Sequence, residues 1–161
     1  MEEAVTNSTA LIFLAKIDRL DLLETFGKII VTTKVRDEVI RAKDIPQMER
    51  SIIEKFFKEN ASIKDPANIL PLDLGPGETS AIAICTESKT RIFISDDRKA
   101  RRTADVMGIQ CMGTIGIILA NLKNGSISKN EARSLVNKLI DHSYYISTDA
   151  YVKVIGIIED K

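Results

Sequence analysis

Short strand-like runs alternate with segments of helical periodicity, and this alternation constrains the fold more than any other feature. Runs of this kind cover residues 28–33, 91–95 and 108–112, and each leads into an apolar pattern with helical spacing. Such alternation is typical of a parallel sheet covered by helices. We therefore predict an α/β fold in which a parallel sheet is flanked by helices on both faces, in three layers, followed by a helical C-terminal tail.

The alternation begins with a strand at 4–6 and a helix that Ser8 or Thr9 caps. A second short helix lies at 21–24, and residues 61–74 form a loop with one short strand. A helix that begins near Pro46 has an apolar stripe over Ile52, Ile53, Phe56 and Phe57, which is either core or partner surface. The other predicted helices cover residues 35–42, 78–87, 98–107, 113–122, 129–141 and 148–158.

Composition bounds the class of protein. A chain of 161 residues with 44% hydrophobic content fits one globular domain, here residues 1–161. Lys plus Arg and Asp plus Glu both total 23, so the net charge is zero and nucleic-acid binding would need a local basic patch. Neither an apolar span of membrane length nor the basic start of a secretory signal is present. Cys85 and Cys111 lack metal-ligand spacing, which favours reduced thiols in a cytoplasmic protein.

Polar residues follow several of the predicted strands. Asp96 and Asp97 come directly after the strand at 91–95, Asn7 follows the first strand, and Glu78 opens a helix after two glycines. Glu38 lies within the helix after the second strand. Because parallel strands end at the same edge of a sheet, these side chains are expected to converge there. Oxygen ligands of this type favour Mg²⁺ or Mn²⁺.

Each of these residues also has an ordinary structural interpretation. Glu78 can be an acidic residue of a helix first turn, and Asp96 and Asp97 can be an N-cap and a first-turn acid. Glu38 taken alone is a solvated helix residue, and Asn7 taken alone is a turn or cap residue. Only their convergence at one edge raises the metal-site hypothesis above these alternatives.

A basic cluster follows the acidic pair. Arg98, Lys99, Arg101 and Arg102 lie on the helix that leaves the proposed site, where they could hold phosphates. A solvated basic helix face is the alternative interpretation. No Walker loop, dinucleotide-binding fingerprint or Ser-His-Asp signature accompanies these residues, and His142 has no neighbouring ligand residue.

Four stretches together resemble the PIN-domain family, and more closely a prokaryotic subgroup with the pattern NTSPLI, LDLGEAEAIALA, LLIDDRKARR and a GTIGVL-like helix. The corresponding stretches here are TNSTALIFLAKI, LDLGPGETSAIAI, FISDDRKARRTADVMGI and MGTIGIILANLKNG. The resemblance covers nearly the whole chain. DDRKARR followed by GTIGIIL at this spacing is specific, whereas each fragment alone is weak.

The resemblance implies a fold similar to that of 5′ nucleases, with an acidic pocket for Mg²⁺ or Mn²⁺, and the activity of a metal-dependent ribonuclease. The pocket would consist of Asn7, Glu38, Glu78 and Asp97, with Asp96 adjacent. Glu78 and Asp97 would hold the ion, Glu38 would bind it directly or through water, and Asn7 and Asp96 would orient ligands. Many PIN domains have aspartate where this chain has Asn7, which implies weaker metal affinity.

The resemblance also implies partners. RNA would be the substrate, with phosphates held by Arg98, Arg101 and Arg102, and many PIN domains are toxins that pair with a small antitoxin protein and form homodimers. Three alternatives stay open: a PIN-like nucleic-acid-binding or regulatory module without catalysis, a receiver-like phosphoacceptor domain, and a small-molecule enzyme on a doubly wound sheet. In receivers, however, the acidic pair follows the first strand and not a late one.

Overall fold

A five-stranded parallel sheet forms the centre of the protein. The computed structural model describes residues 2–160. Its strands occur in the order β3-β2-β1-β4-β5, and all neighbouring pairs are parallel. The strands are β1 Glu3–Thr6, β2 Lys28–Val31, β3 Ala61–Ile63, β4 Ile92–Ile94 and β5 Gln110–Met112.

Helices connect the strands and form the C-terminal part of the chain. They are α1 Ser8–Lys16, α2 Thr33–Arg41, α3 Gln47–Glu59, α4 Pro76–Ser88, α5 Arg98–Val106, α6 Thr114–Lys123, α7 Lys129–Asp141 and α8 Thr148–Glu159, with a 3₁₀ helix at Leu20–Thr25. The longest of them have 13 residues. Within residues 2–160, no helix combines the length and the apolar character needed to cross a membrane.

The sheet buries both of its faces. Successive residues of one strand point to opposite faces, so Ala4 joins one core cluster and Val5 the other. The same alternation places Ile92 and Ile94 in the first cluster and Phe93 in the second. The first cluster includes residues of α1, α2, α3, α6, α7 and α8, and the second includes residues of α4 and α5. This arrangement confirms the predicted α/β fold with helices on both faces.

Side chains cap the helices that begin at the strand ends. Asn7 accepts from the N–H of Thr9 at the start of α1, and Thr32 caps α2 by accepting from the N–H of Val35 over 3.2 Å. Asp97 caps α5 in the same way. A cap of this kind contributes about 1 kcal/mol to stability. The prediction that Ser8 or Thr9 caps α1 is therefore wrong, because Asn7 is the capping residue.

The strands are shorter than their apolar runs. Thr32 leaves β2 because its hydroxyl caps α2, and Gly108 leaves β5 because it turns the chain with a φ of +77°. The apolar stripe of α3 is mostly core, since Ile53, Phe56 and Phe57 are buried. Residues 61–74 contain one short strand, as predicted, and it lies at the edge of the sheet.

Candidate active site

The predicted site lies where the strand order reverses. β1 is followed in the chain by β2 and β3 on one side of it, whereas β4 and β5 lie on the other side. A parallel sheet opens a crevice at the carboxyl ends of the two strands that flank such a reversal, and ligands commonly bind there. Asn7 follows β1 directly, and Asp96 and Asp97 follow β4 after Ser95.

Asn7 connects the ends of β1 and β4. Its side chain is 1% exposed. The Oδ1 atom accepts from the N–H of Thr9 over 3.2 Å and from its hydroxyl over 2.8 Å, and Nδ2 donates to Ser95 Oγ over 2.6 Å. Ser95 Oγ also accepts from the N–H of Asp97 over 3.1 Å. Both ends of the Asn7 amide thus bond to the protein, and Ser95 joins it to Asp97.

Glu38 and Glu78 come together from two helices. The Oε1 atom of Glu38 accepts from the N–H of Gly77 over 2.9 Å, which places it next to Glu78 in the first turn of α4. Its Oε2 atom accepts from the hydroxyl of Ser8 over 3.4 Å. Loss of water around the carboxyl raises the pKa of Glu38, and the nearby charge of Glu78 raises it further. Two neighbouring carboxylates of this kind attract a proton or a cation.

Two glycines allow these carboxylates to approach the backbone. A Cβ atom at Gly77 would overlap both carboxylate oxygens of Glu38, and one at Gly75 would lie 2.7 Å from Oε2 of Glu78. A side chain at position 77 would therefore exclude Glu38 from its present position. Helix α4 itself is fixed by burial, because Ala81, Ile82 and their neighbours pack against the sheet as predicted.

Asp97 lies at the start of α5 with one oxygen committed. Its Oδ1 atom accepts from the N–H of Ala100 over 2.7 Å. Its Oδ2 atom accepts no hydrogen bond from the residues that the structure describes. Asp97 therefore retains one carboxylate oxygen for a ligand at the crevice, and its capping interaction and its predicted ligand role are compatible.

Asp96 has different partners from its neighbour. Its Oδ1 atom accepts from the N–H of Thr114 over 2.8 Å and from the hydroxyl of Tyr144 over 2.7 Å, and its Oδ2 atom accepts from the Thr114 hydroxyl over 2.6 Å. The carboxylate thus binds the first turn of α6, where a negative charge is favoured by the helix dipole. Asp96 joins β4 to α6 and to the segment between α7 and α8.

Tyr144 completes this connection. Its ring packs edge-on against Phe13 with centroids 4.9 Å apart. Burial raises the pKa of the Tyr144 hydroxyl, and so does the adjacent charge of Asp96, so this hydroxyl stays a proton donor. Ser95, Thr114 and Tyr144 are not among the site residues predicted from the sequence. The signal available for Thr114 was its place at the start of a helix that follows a strand end.

The basic residues lie on α5 beside the crevice. Arg98 and Arg102 are exposed and Arg101 is half-buried. Their spacing of three and four residues puts them on one side of the helix. Lys99 has a separate partner, since its Nζ lies 2.8 Å from Oδ2 of Asp73.

The donors at this edge fit a hard divalent cation in type but do not form a closed cage. Within residues 2–160, no three His, Cys, Asp or Glu side chains are grouped to enclose a metal ion. Mg²⁺ typically takes one or two protein carboxylates and completes its shell with water and phosphate oxygens. The paired carboxylates of Glu38 and Glu78 and the available oxygen of Asp97 suit that kind of partial coordination.

Comparison with known proteins agrees with this architecture. A family model described as a PIN domain matches residues 3–160. A search among curated proteins found no match. The matched range includes every strand of the sheet and all five acidic and amide residues at its carboxyl edge. The chain therefore belongs to the PIN-domain family, whose fold is of the nuclease type.

Proposed function

We propose that this protein is a metal-dependent ribonuclease that hydrolyses RNA phosphodiester bonds at the carboxyl edge of its sheet. The observation that supports this function best is the pairing of Glu38 with Glu78 beside the strand reversal, where Gly77 holds the Glu38 carboxylate. PIN domains are generally nucleases that use divalent ions, so membership in the family agrees with the pairing.

In this proposal Glu78 and Asp97 would hold Mg²⁺ or Mn²⁺, and Glu38 would bind it directly or through water. A bound ion of this kind supplies an activated water and stabilises the negative charge that develops on the phosphate. Asp97 would contribute the oxygen that does not cap α5. Asn7 keeps the end of β1 against Ser95, and Ser95 in turn holds the backbone of Asp97.

The remaining residues would hold the attacking water, bind the RNA phosphates or support the strand end. Glu38 can hold a water through Oε2, because its Oε1 is fixed by the N–H of Gly77. Arg98 and Arg101 would bind the phosphates on either side of the cleaved bond, since guanidinium groups bind phosphate oxygens through two parallel hydrogen bonds. Asp96 acts indirectly in this scheme, by keeping the end of β4 against α6.

The direct test is cleavage of a mixed pool of labelled RNA in Mn²⁺, in Mg²⁺ and with a chelator. Wild type is expected to cleave only with metal, and Asp97→Asn should lose most activity while it keeps the α5 cap, since asparagine also caps helices well. Asp73→Asn is the matched control, because Asp73 is exposed and contacts Lys99 instead of the crevice. Equal cleavage by wild type and Asp97→Asn, or none by either, would overturn the proposal.

The proposal includes the protein partners that the resemblance implies, a small antitoxin and a second copy of the chain. Helix α8 offers a position for such a contact, because Val152 is 64% exposed. Size-exclusion chromatography with light scattering tests the second copy. A dimer that Val152→Asp converts to a monomer supports the α8 surface, and a monomeric wild type contradicts it.

The state of Asn7 favours a second candidate function, a PIN-like nucleic-acid-binding module without catalysis. Its amide carries no negative charge, and both of its polar ends already bond to Thr9 and Ser95. A pocket with one carboxylate fewer attracts a cation less strongly. RNA binding by wild type without cleavage in either metal would support this second function.

A further inference from the structure

A cleft beside the acidic edge has the features of a site for single-stranded RNA. It has a volume of about 580 Å³ and lies between α5 and the segment that leads into α8. Its lining includes Asp96 and Arg98, the residues on either side of Asp97 in the chain, so one end of the cleft lies at the carboxyl end of β4. Ligand sites commonly have volumes of about 300–1,000 Å³, which places this cleft in the range for a nucleotide.

One wall of the cleft is cationic. Arg98, Arg101 and Arg102 all line it, and within residues 2–160 none of the three forms a salt bridge. Asp96 and Asp105 also line the cleft, but Asp96 already accepts three hydrogen bonds from Thr114 and Tyr144. Three guanidinium groups against two carboxylates leave a net positive charge, which attracts phosphate.

The opposite wall is aromatic. Tyr145 lines the cleft and is 79% exposed, although its neighbour Tyr144 is held by Asp96 and Phe13. An exposed tyrosine on a segment whose adjacent residue is fixed offers a ring face to a ligand. Bases stack on such rings without regard to sequence, and arginine side chains beside them bind the connecting phosphates. A double helix keeps its bases stacked on each other and cannot use this surface.

We propose that this cleft binds one nucleotide of single-stranded RNA adjacent to the cleavage site, with its base on Tyr145 and its phosphate on Arg98, Arg101 and Arg102. The inference rests on the proposed ribonuclease function, since it names the form of RNA that the same site accepts. It adds Tyr145 as a residue that selects unpaired RNA, and it assigns the segment between α7 and α8 a role in substrate binding.

The test measures binding separately from cleavage. A fluorescein-labelled, unstructured RNA of mixed sequence is titrated with protein in chelator, and fluorescence anisotropy reports affinity. Tyr145→Ala should weaken binding by about 5- to 150-fold, the range for loss of one stacked base, and Tyr145→Phe should bind like wild type because it keeps the ring. Arg102→Ala should weaken binding and reduce its salt dependence.

Two exposed residues remote from the cleft provide matched controls. Arg91→Ala removes an exposed arginine before β4, and Met48→Ala removes a side chain that is 75% exposed at the start of α3. Both should bind RNA like wild type. A double-stranded RNA of equal length should compete poorly with the labelled RNA. Any binding of an acidic peptide such as polyglutamate should be the same in wild type and in Tyr145→Ala.

The outcomes separate this inference from the proposed function. Wild-type binding that Tyr145→Ala and Arg102→Ala leave unchanged overturns the cleft as a site while metal-dependent cleavage can still stand. Double-stranded RNA that binds as tightly as the single strand also overturns it. So does polyglutamate, if it displaces the RNA and if Tyr145→Ala weakens its binding as much as that of RNA. Absence of RNA binding by wild type in chelator overturns the cleft as a site, and the cleavage assay with Mn²⁺ and Mg²⁺ then decides the ribonuclease proposal separately.

Discussion

The side-chain amide of Asn7 donates a hydrogen bond to the hydroxyl of Ser95, which lies 88 positions further along the chain. Because the same hydroxyl accepts the backbone N–H of Asp97, a change at position 7 reaches the acidic end of β4 through one atom. Asn7 is therefore part of the scaffold of the crevice as well as one of its predicted site residues.

Replacing Asn7 by aspartate adds a negative charge at a buried position of the edge that also carries Glu38, Glu78 and Asp97. Without a cation, Asn7→Asp should lower the free energy of unfolding by about 1–3 kcal/mol, because a buried charge replaces a paired amide. Mn²⁺ should restore the melting temperature, measured by thermal unfolding with metal and with chelator, and should increase RNA cleavage.

Asn121→Asp is the control for this change. Asn121 is also buried, and its amide bonds to the carbonyls of Leu22 and Ile117, away from the crevice. The Asn121→Asp variant should have a lower melting temperature than wild type, and Mn²⁺ should not restore it. If Mn²⁺ affected both variants equally, position 7 would not belong to a metal site.

A methyl group at Gly77 should inactivate the proposed nuclease. Gly77→Ala would overlap the carboxylate of Glu38 and displace it from Glu78, so metal-dependent RNA cleavage should fall at least tenfold. The control is Gly156→Ala in α8, where a Cβ meets no neighbour. That change should raise stability by about 0.5–1 kcal/mol and leave cleavage intact. Full activity in Gly77→Ala would contradict the assigned position of Glu38.

Loss of the Asp96 carboxylate should destabilise the protein more than loss of the Tyr144 hydroxyl, which donates a hydrogen bond to it. Asp96→Ala removes three hydrogen bonds to a charged acceptor and should cost about 2–4 kcal/mol, whereas Tyr144→Phe removes one and should cost about 1–2 kcal/mol. Urea unfolding of both single variants and the double variant measures their coupling. Strictly additive effects would mean that the bond between them contributes nothing.

Asp65 should make stability depend on pH. Hydrogen bonds from the hydroxyl and the N–H of Thr33 lower the pKa of Asp65 below its ordinary value of 3.8. The folded state therefore gains stability from the ionised group above pH 3.8, and it loses that gain as the pH falls through the lower pKa of the folded state. The stability difference between wild type and Asp65→Ala should be largest near neutral pH and shrink in acid. A difference that grows in acid would contradict this interpretation.

The two thiols should react slowly in the native protein. Burial raises the pKa of Cys85 to about 12 and that of Cys111 to about 11, so few thiolates exist at pH 8. Iodoacetamide labelling followed by mass spectrometry should modify the half-buried Cys111 before Cys85, and both only after long exposure. Guanidinium chloride should make both react rapidly. Fast native labelling of Cys85 would show that its cluster opens readily.

The architecture was predictable because strand and helix signals repeat along this chain without conflict. Asn7, Asp96 and Asp97 lie just beyond the ends of β1 and β4, as predicted, since the carboxyl ends of parallel strands share an edge, and their role in a site stays a prediction. Helix α4 was recognisable from apolar residues on nearly all its sides, and this burial fixes the start of the helix, where Glu78 lies. The ends of strands were less predictable, because Thr32 can extend a strand or cap a helix.

The partners of each acidic side chain could not be predicted. Asp96 and Asp97 are adjacent and follow the same strand, yet one binds Thr114 and Tyr144 while the other caps α5. This difference depends on residues 18 and 48 positions further along the chain, whose locations follow from tertiary packing. Gly77 is one of the two glycines that precede Glu78, but its contact with Glu38 could not be predicted without the position of α2.

The hydrogen bond between Asp96 and Tyr144 also sets the order in which a growing polypeptide can complete this edge. Tyr144 is synthesised after all five strands and after α6, because it lies beyond α7 in the chain. A nascent chain that has just completed β5 carries Glu38, Glu78, Asp96 and Asp97 but lacks the hydroxyl that secures Asp96. The carboxyl edge therefore reaches its final form only after the sheet that supports it has been synthesised.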